Sequence, residues 1–423
     1  MKVILLSAGR SLRAKPIEDK NFLKFCGKTL VEHQVEALKK AGFNDILVVG
    51  GAHNKDKLKE ILKPFKVQIC EQKNLDEGMA GAVLAVEKAV GNEDIFIVSG
   101  NDVVDEKAYE LMEKASKTTG DSFLLAYQVS SYFPGGYLKL QKDRVIGITE
   151  KPGEGNEPSN LINIVLHVHK NPKELFAELK KVSSKKDDRY EVALDNLMKE
   201  RIFKSVKYTG FWQPIKYPWH VLDLTNHFLS GLKRKISKTA QIAKTATING
   251  NVVIESGAKI YDNAVVQGPA YIGKNTVVAN NALVRESIIG DNSVVGFSTE
   301  IARSFIGDDC WFHTNYVGDT VMGNNCSFGS GAVCANLRLD EKEIGDSKRN
   351  KLGPIFGENI RVGVQTSIMP GVRIGSNTMI TSGLIIAEDI EPNKFVKGKT
   401  TLEIKDNKAI LDKSARAKMK GKL

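Results

Sequence analysis

A six-residue repeat constrains this chain more than any other feature of its sequence. Aliphatic residues stand six apart at nine consecutive positions from Ile236 to Val284, and the same apolar spacing returns from Phe356 to Ile386. A fixed hexad with Gly, Asn or Asp in the turns is typical of a parallel β-helix, in which each apolar side chain stacks on its equivalent one coil away. The repeat therefore predicts a β-helix domain of hexapeptide repeats over residues 232–397.

One stretch interrupts this repeat. Residues 336–352 break the hexad and are rich in charge, so we expect a loop that leaves the β-helix between two coils. Insertions in solenoids often carry function, because they lie on one face of the stack.

Residues 1–231 follow a different pattern, in which short β-rich runs alternate with amphipathic segments. The predicted strands are Val3–Leu6, Ile46–Val49, Val67–Cys70 and Ile95–Val98, and the predicted helices are Leu30–Ala41, Lys55–Leu62, Gly78–Val90 and Glu106–Ala115. Such alternation predicts βαβ units on a largely parallel sheet, that is, an α/β domain of Rossmann-like type. Ligands of these sheets bind at the carboxyl ends of the strands.

Composition excludes several classes of protein. A chain of 423 residues that is 42% hydrophobic suggests two or three domains rather than a disordered protein. No stretch approaches the ~20 apolar residues of a membrane helix, and Met1–Leu6 is too short and too soon followed by charge for a signal peptide. Five cysteines without CxxC spacing indicate reduced thiols in the cytoplasm and no zinc site.

The net charge of +11 raises the question of nucleic-acid binding. From Lys397 to Leu423 there are nine basic and three acidic residues, so much of the excess lies in a terminal tail, residues 398–423. Such tails are usually solvated arms. The rest of the chain is mildly basic, which suits phosphorylated substrates better than nucleic acid.

Small residues and two cations follow the first predicted strand. Ser7, Ala8 and Gly9 form a turn, and Arg13 and Lys20 come next. A turn of small residues lets backbone N–H groups approach phosphate oxygens, and the two cations can neutralise the charge that develops there. This pattern alone also fits an ordinary turn.

The order of the motifs that follow resembles the sugar-1-phosphate nucleotidylyltransferases over about residues 1 to 230. Gln72 with Gly78-Met79-Ala80-Gly81-Ala82 is similar to the family's base-reading element, Gly100-Asn101-Asp102 to its metal-binding Gly-Asp, and Gly136, Glu150-Lys151-Pro152 and Asn163 to its sugar-phosphate site. The resemblance implies in-line attack of a sugar phosphate on a nucleoside triphosphate, UTP or dTTP. It also implies that Arg13 holds pyrophosphate, Lys20 the α-phosphate and Asp102 a Mg²⁺ ion.

Other interpretations of these residues stay open. Asp102 can cap the helix predicted to begin at Glu106, Glu150 can be an exposed turn carboxylate, and Gln72 can be a solvated residue at a strand end.

The chain also departs from the family's pattern. Ser11 and Leu12 replace a Gly and a Thr of the turn, and Val165 replaces a Gly. Pro214 stands where many members have a second metal-binding Asp, and its side chain cannot bind a metal. Asp223 can supply the missing carboxylate, but its place inside an apparent helix favours a solvated or capping role.

A second set of motifs lies in the β-helix. The set consists of His313-Thr314-Asn315-Tyr316-Val317-Gly318-Asp319, Ser330, Asn336 and Lys351. It resembles the acetyltransferase half of the bifunctional uridylyltransferases and acetyltransferases of UDP-N-acetylglucosamine synthesis, in the archaeal rather than the bacterial type. The resemblance implies a left-handed β-helix with His313 as the base that takes a proton from an amine attacking a thioester.

The same resemblance implies roles for the other residues of this set. Tyr316 and Asn336 would hold the sugar, Lys351 its phosphate, and Ser330 would border acetyl-CoA. His313 can instead be a packed solenoid histidine and Lys351 a solvated loop lysine. Ser327, Ser330 and Leu337 depart from the bacterial pattern.

These observations favour a bifunctional enzyme of amino-sugar nucleotide synthesis, active in the cytoplasm as a homotrimer assembled through the β-helix. One alternative is a nucleotidylyltransferase, for example of the dTDP-glucose type, whose β-helix only oligomerises. Another is a catalytically degenerate regulatory subunit, as Leu12 and Pro214 suggest. Release of pyrophosphate and consumption of acetyl-CoA distinguish the three.

Overall fold

The computed structural model describes residues 1–184, 188–399, 403–408 and 419–421. Its first half contains strands β1 (Lys2–Leu6), β2 (Lys24–Phe25), β3 (Lys28–Thr29), β4 (Ile46–Gly51), β5 (Gln68–Gln72), β6 (Ile95–Ser99), β7 (Asp102–Val104), β8 (Ser122–Gln128), β9 (Gly136–Gln141), β10 (Arg144–Glu150), β11 (Leu161–His169), β12 (Phe203–Tyr208) and β13 (Trp212–Pro214). Its helices are α1 (Leu30–Lys40), α2 (Lys55–Leu62), α3 (Gly78–Leu84), α4 (Glu87–Val90), α5 (Glu106–Ser116), α6 (Lys173–Lys181), α7 (Arg189–Leu197) and α8 (His220–Ser230).

Nine of these strands form one sheet, in the order β5-β4-β1-β6-β11-β8-β12-β10-β9. The strands β5, β4, β1 and β6 are parallel, as predicted. Beyond β6 the sheet is mixed, because β11 runs antiparallel to both β6 and β8, and β9 and β10 form an antiparallel pair. The prediction of a largely parallel sheet therefore holds only for the half that carries the first turn.

Local sequence explains why the predicted helices form where they do. Helix α1 begins with a capping box, in which Thr29 N donates to Glu32 Oε2 at 2.7 Å and Glu32 N donates to Thr29 Oγ1 at 3.4 Å. Helix α2 has the predicted bounds, and the predicted helix Gly78–Val90 is divided into α3 and α4. Buried aliphatic residues cover both faces of the sheet and form its core.

The second half is a β-helix with three strands in most of its coils. Its strands are β14 (Lys235–Ile236), β15 (Gln241–Ile242), β16 (Thr247–Asn249), β17 (Val252–Ile254), β18 (Lys259–Ile260), β19 (Val265–Gln267), β20 (Ala270–Ile272), β21 (Val277–Val278), β22 (Leu283–Arg285), β23 (Ile288–Ile289), β24 (Val294–Val295), β25 (Glu300–Ala302), β26 (Phe305–Ile306), β27 (Tyr316–Gly318), β28 (Val321–Met322), β29 (Ser327–Phe328), β30 (Val333–Cys334), β31 (Ile355–Phe356), β32 (Arg361–Val362), β33 (Ser367–Ile368), β34 (Arg373–Ile374), β35 (Met379–Ile380), β36 (Ile385–Ile386) and β37 (Phe395–Val396). Strands one coil apart pair in parallel, so that Ile254 lies beside Ile272 and Ile272 beside Ile289. The hexad residues from Ile254 onward are buried in one continuous core, as the repeat predicted.

Residues 336–352 leave the β-helix between β30 and β31, as predicted, with a short 3₁₀ turn at Gly345–Ser347. This insertion folds back onto the first half of the chain. Ile344 and Leu352 are 6% and 2% exposed and pack in a cluster that includes Trp219 and Leu222.

The β-helix packs against the α/β domain along one of its faces. The rings of Phe25 and Phe305 are 5.2 Å apart between centroids, and Lys24 Nζ donates to Asp291 at 2.9 Å and to Asp308 at 2.8 Å. Desolvation lowers the pKa of Lys24, but its hydrogen bonds to Asp291 and Asp308 and their charges outweigh this effect and raise the pKa above the ordinary value. Lys24 therefore stays charged in this contact. The two halves therefore form one packed body.

Within the described residues, no helix is both long and apolar enough to cross a lipid bilayer. The predicted basic tail, residues 398–423, lies mostly outside those residues.

Candidate functional sites

The turn after β1 leaves polar groups without protein partners. Ser7 is 2% exposed, and its buried Oγ has no hydrogen-bond partner in the described part of the chain. Ala8 is buried, whereas a Cβ on Gly9 would have no neighbour within 4 Å. Because an unsatisfied buried hydroxyl costs about 1–3 kcal/mol, Ser7 is suited to donate to a ligand oxygen.

Lys20 is the central cation of this site. It is 7% exposed, and its Nζ donates to Ile215 O at 3.1 Å. Burial and the nearby Arg13 guanidinium lower its pKa to about 8, while Asp102 and Asp19 oppose the shift. These effects place Arg13, Lys20 and Asp102 within one electrostatic environment.

Ser11 adopts the backbone conformation that a glycine would take in this turn. Its φ of 53° lies in the left-handed region, which is unfavourable for a residue with a Cβ. Its Oγ accepts a hydrogen bond from Lys20 N at 3.4 Å. The next residue, Leu12, is 67% exposed, so neither substitution removes the turn.

Gln72 is buried at the end of β5 rather than solvated. Its Nε2 donates to Asn74 O at 3.0 Å and to Gly78 O at 2.8 Å. Both amide hydrogens are thereby used, so Gln72 can offer a base only its oxygen. A Cβ on Gly81 would lie 2.8 Å from Gln72 Nε2, which explains the need for glycine there.

Asp102 lies at the start of β7, and its Oδ1 accepts from Trp212 Nε1 at 2.8 Å. The helix-capping interpretation is wrong, because Asp105 caps α5 by accepting from Lys107 N at 3.1 Å. Pro214 is the strand partner of Asp102. The described residues contain no group of three or more His, Cys, Asp or Glu side chains placed for a metal ion.

A single carboxylate can still serve Mg²⁺, which keeps several waters and commonly binds through one or two carboxylates and the substrate's phosphates. Asp102 has its second oxygen left for this purpose after Oδ1 has accepted from Trp212. The residues present therefore fit an ion that arrives with a nucleotide, rather than one held by the protein alone.

Lys216 is a charged residue of this site that the sequence motifs did not reveal. Burial lowers its pKa, and the charges that act on it most strongly are those of Asp102, Arg13, Glu150 and Lys151. Its Nζ also lies 4.8 Å from the centre of the Phe133 ring. Contacts distant in sequence, among them the pairing of β13 with β7, bring this lysine to the site.

Gly136 and Glu150 face each other on the paired strands β9 and β10. A Cβ on Gly136 would collide with the Glu150 carboxylate, so glycine makes room for this acid. Glu150 is solvent-accessible, yet partial desolvation raises its pKa against the opposing effect of Lys216 and Lys151. Lys151 is exposed, and its φ of 44° turns the chain after β10.

Asn163 is partly exposed on β11, and its Oδ1 lies 2.9 Å from His167 Nε2. The Asp223 carboxylate is paired with Arg349 of the insertion. The expectation of a solvated or capping role for Asp223 is therefore wrong.

His313 is exposed on a turn between coils, so the interpretation as a packed histidine is wrong. Its backbone N donates to Asn315 Oδ1 at 2.6 Å, and its ring lies 5.9 Å from that of Trp311 between centroids. Asn315 in turn donates to Gly329 O at 2.9 Å and Ala332 O at 3.0 Å. These bonds hold the His313 turn against the next coil.

Tyr316 and Asn336, both predicted to hold the sugar, contact each other. Asn336 Nδ2 lies 3.2 Å from Tyr316 OH and 2.5 Å from Asp319 Oδ2. Asp319 also accepts two hydrogen bonds from Arg303, both at 2.8 Å. A Cβ on Gly318 would lie 2.6 Å from both Tyr316 OH and Asn336 Nδ2, so this close packing requires glycine.

Lys351 and Ser330 lie on either side of this cluster. Lys351 is exposed at the base of the insertion, where it pairs with Leu337, and the adjacent Leu352 N donates to Asn336 O at 2.9 Å. Ser330 is exposed, and the N–H of the adjacent Gly331 donates to the carbonyl oxygen of Thr314, the residue after His313, at 3.0 Å.

The three β-helix cysteines are buried between coils and unpaired.

Each half of the chain matches a known protein family, and the whole chain has relatives of similar length. Residues 3–238 match the family of MobA-like NTP transferase domains, and residues 233–351 match the GMPPB C-terminal domain. The chain is 32% identical to the bifunctional protein GlmU of Methanococcus maripaludis strain S2, over 96% of this chain and 99% of the relative. It is 33% identical to the bifunctional protein GlmU of Methanocaldococcus jannaschii, over 94% of this chain and 97% of the relative.

A further relative is the bifunctional sugar-1-phosphate nucleotidylyltransferase/acetyltransferase of Sulfurisphaera tokodaii, 31% identical over 94% of this chain and 100% of the relative. Among solved structures, UDP-glucose pyrophosphorylase complexed with UDP-glucose matches 54% of this chain and 98% of its own, with 19% identity and a TM-score of 0.47.

Proposed function

The chain belongs to the GlmU family of bifunctional proteins, and we propose that it transfers a nucleotidyl group to a sugar 1-phosphate and an acetyl group to an amino-sugar phosphate. The observation that carries the proposal is that each half has its own cluster of matching residues. The first contains Arg13, Lys20 and Asp102, and the second contains Tyr316 and Asn336. The nucleoside triphosphate is UTP or dTTP.

The first reaction needs alignment and charge neutralisation rather than a protein nucleophile, because the attacking group is already a phosphate oxygen. That oxygen forms a bond to the α-phosphorus as the bond to pyrophosphate breaks. Lys20 binds the α-phosphate, and Arg13 stabilises the leaving pyrophosphate. Ser7 Oγ and the backbone of Ala8 and Gly9 donate hydrogen bonds to phosphate oxygens.

The nucleotide base lies against Gln72 and the Gly78 segment. A Mg²⁺ ion, bound with the nucleotide and by the free oxygen of Asp102, would supply further neutralisation of the triphosphate. The Lys216 ammonium, which interacts electrostatically with Asp102 and Glu150, adds to this neutralisation.

The sugar phosphate binds beside strands β9 to β11. Gly136 leaves room for the Glu150 carboxylate beside the sugar, Glu150 and Asn163 hydrogen-bond the sugar, and Lys151 pairs with its phosphate. These groups hold the phosphate oxygen of the acceptor in line with the α-phosphorus. Holding the reacting atoms in this geometry raises the reaction rate.

In the second reaction, His313 accepts a proton from the amine as its nitrogen attacks the thioester carbonyl of acetyl-CoA. A C–N bond forms, the C–S bond breaks, and the thiolate of coenzyme A takes a proton. Tyr316 and Asn336 hold the sugar, Lys351 binds its phosphate, and Ser330 borders acetyl-CoA. The β-helix assembles as a homotrimer in which the insertion borders a neighbour's site, and the free thiols and these substrates suit the cytoplasm.

The test is a matrix of UTP and dTTP against glucose, glucosamine and N-acetylglucosamine 1-phosphates, with acetyl-CoA added in parallel. Release of pyrophosphate and of free thiol are measured separately. Both signals support the proposal. Pyrophosphate release without thiol release indicates a nucleotidylyltransferase with an assembly domain. The absence of both signals indicates a regulatory subunit.

A further inference from the structure

A chain of hydrogen bonds runs through the core of the first domain and ends at Asn163. Its four contacts are Ser122 Oγ to His169 Nδ1 at 2.9 Å, His169 Nε2 to Tyr190 OH at 3.2 Å, Tyr190 OH to His167 Nδ1 at 3.0 Å, and His167 Nε2 to Asn163 Oδ1 at 2.9 Å. The chain crosses from β8 through β11 to α7 and back to β11. Only its last member reaches the solvent side of the sheet.

Burial keeps every member of this chain uncharged. Ser122, His167, His169 and Tyr190 are each at most 4% exposed. Burial, then the Arg201 charge, lowers the pKa of His169 to about 3. Burial, then His169, lowers the pKa of His167, against the opposing Ile164 carbonyl. Both imidazoles are therefore neutral at physiological pH, and each has one donor and one acceptor nitrogen.

With Asn163 Oδ1 facing His167, as the structure places it, neutrality leaves the chain a single direction. Asn163 Oδ1 can only accept, so His167 Nε2 carries the proton and His167 Nδ1 is an acceptor. Tyr190 must then donate to His167 and accept from His169 Nε2. The remaining nitrogen of His169 accepts from Ser122. Each tautomer is set by the bond before it.

The same placement leaves the other end of the Asn163 amide facing a ligand. Its Oδ1 is committed to His167, and its Nδ2 has no hydrogen-bond partner among the described residues. An amide turned the other way would reverse every tautomer in the chain, so the tautomer of His167 reports which end of the amide faces the ligand. The two Nδ2 hydrogens are therefore the groups that Asn163 offers to the cleft.

Helix α7 connects this chain to the other side of the candidate sugar site. Tyr190 lies in its first turn, and Asp195, further along the same helix, accepts from Ile148 N at 2.9 Å. Ile148 belongs to β10, which ends at Glu150. One helix thus supports both polar groups assigned to the sugar.

We propose that His167 and Tyr190 are positioning residues, which orient the Asn163 amide so that it donates to an acceptor oxygen of the sugar phosphate. This inference rests on the proposed function, which assigns Asn163 to the sugar site. The chemistry selected is an acceptor, such as a ring hydroxyl oxygen or an acetamido carbonyl. Neither residue touches the substrate.

Tyr190→Phe breaks the chain at its centre and keeps the ring. We expect the KM for the sugar 1-phosphate to rise about 3- to 10-fold, the range of one neutral hydrogen bond, with the KM for the nucleotide unchanged. Tyr109→Phe is the matched control, since Tyr109 is also buried in this domain but lies outside the chain. In an Asn163→Ala background, Tyr190→Phe should have no further effect on the KM.

A second measurement needs no variant. Nitrogen-15 NMR of labelled histidines should show both His167 and His169 protonated at Nε2 and bare at Nδ1, and the opposite tautomer of His167 would overturn the inference. So would an equal rise of both KM values in Tyr190→Phe, or a full effect of that change in the Asn163→Ala background. If Asn163→Ala itself leaves the KM of the sugar phosphate unchanged, it is the sugar-site assignment of the proposed function that fails.

Discussion

The carboxylate of Asp223 accepts a hydrogen bond from the guanidinium of Arg349, which joins helix α8 to the insertion of residues 336–352. The same insertion contains Lys351, and α8 follows the segment that contains Lys216. Helix α8 and the insertion thus connect the chain segments that carry Lys216 and Lys351. The two candidate sites can share a structural support and still have separate chemistry.

Replacing Asp223 should affect stability and leave nucleotidyl transfer nearly unchanged. Both partners of the pair are partly exposed, so Asp223→Ala should lower the free energy of unfolding by up to about 1 kcal/mol. The rate should stay within about 2-fold, since the carboxylate does not serve the metal. Denaturant unfolding and a Mg²⁺ titration of the initial rate measure the two effects. A dead Asp223→Ala enzyme with an intact fold would contradict this account of the metal site.

Arg13 and Asp102 should each be needed for nucleotidyl transfer. Loss of a charge that stabilises the transition state typically costs ~10² to 10³ in rate, so Arg13→Ala and Asp102→Ala should release pyrophosphate at least that much more slowly. The matched control is Arg10→Ala, because Arg10 lies on the same turn but pairs with exposed Asp76 at 2.7 Å. Near-normal rates in both site variants, with circular dichroism unchanged, would rule out the assignment.

Lys216 should contribute to the same step. Lys216→Met keeps the length of the side chain and removes its charge, and we expect a loss of at least ~10-fold in kcat, as for other electrostatic partners of a transferring phosphoryl group. Lys207→Met is the control, because Lys207 is an exposed residue of strand β12 in the same domain. An unchanged kcat in Lys216→Met would show that its charge does not act on the reaction.

The two buried histidines should make the first domain sensitive to acid. Their pKa values lie below that of an unfolded histidine, with His169 at about 3, so the unfolded state binds more protons as the pH falls below about 6.5. Stability is fully present above pH 6.5 and is lost progressively below it, by about 1.4 kcal/mol per pH unit and histidine. Urea unfolding at pH 7.5 and pH 5 measures this loss. The same midpoint at both pH values would contradict it.

The repeat predicted the β-helix well because each hexad position is a local property. A residue such as Ile272 packs between Ile254 and Ile289, each about one coil away along the chain. The charge cluster around Lys20 could also be found, since its members follow strand ends in a recognisable order. Three features could not be predicted. The antiparallel course of β11, the position of Lys216 and the Asp223–Arg349 pair all depend on contacts between residues far apart in sequence.

The most direct test of the account measures pyrophosphate and thiol release in parallel on wild-type protein, Arg13→Ala and His313→Ala. General base catalysis contributes typically about 10² to 10⁴ in rate, so His313→Ala should lose acetyl transfer by at least ~10²-fold and keep nucleotidyl transfer. Arg13→Ala should show the reverse pattern. Thiol release that is unchanged in His313→Ala, or absent from the wild-type protein, would contradict the central claim that this chain carries two independent active sites.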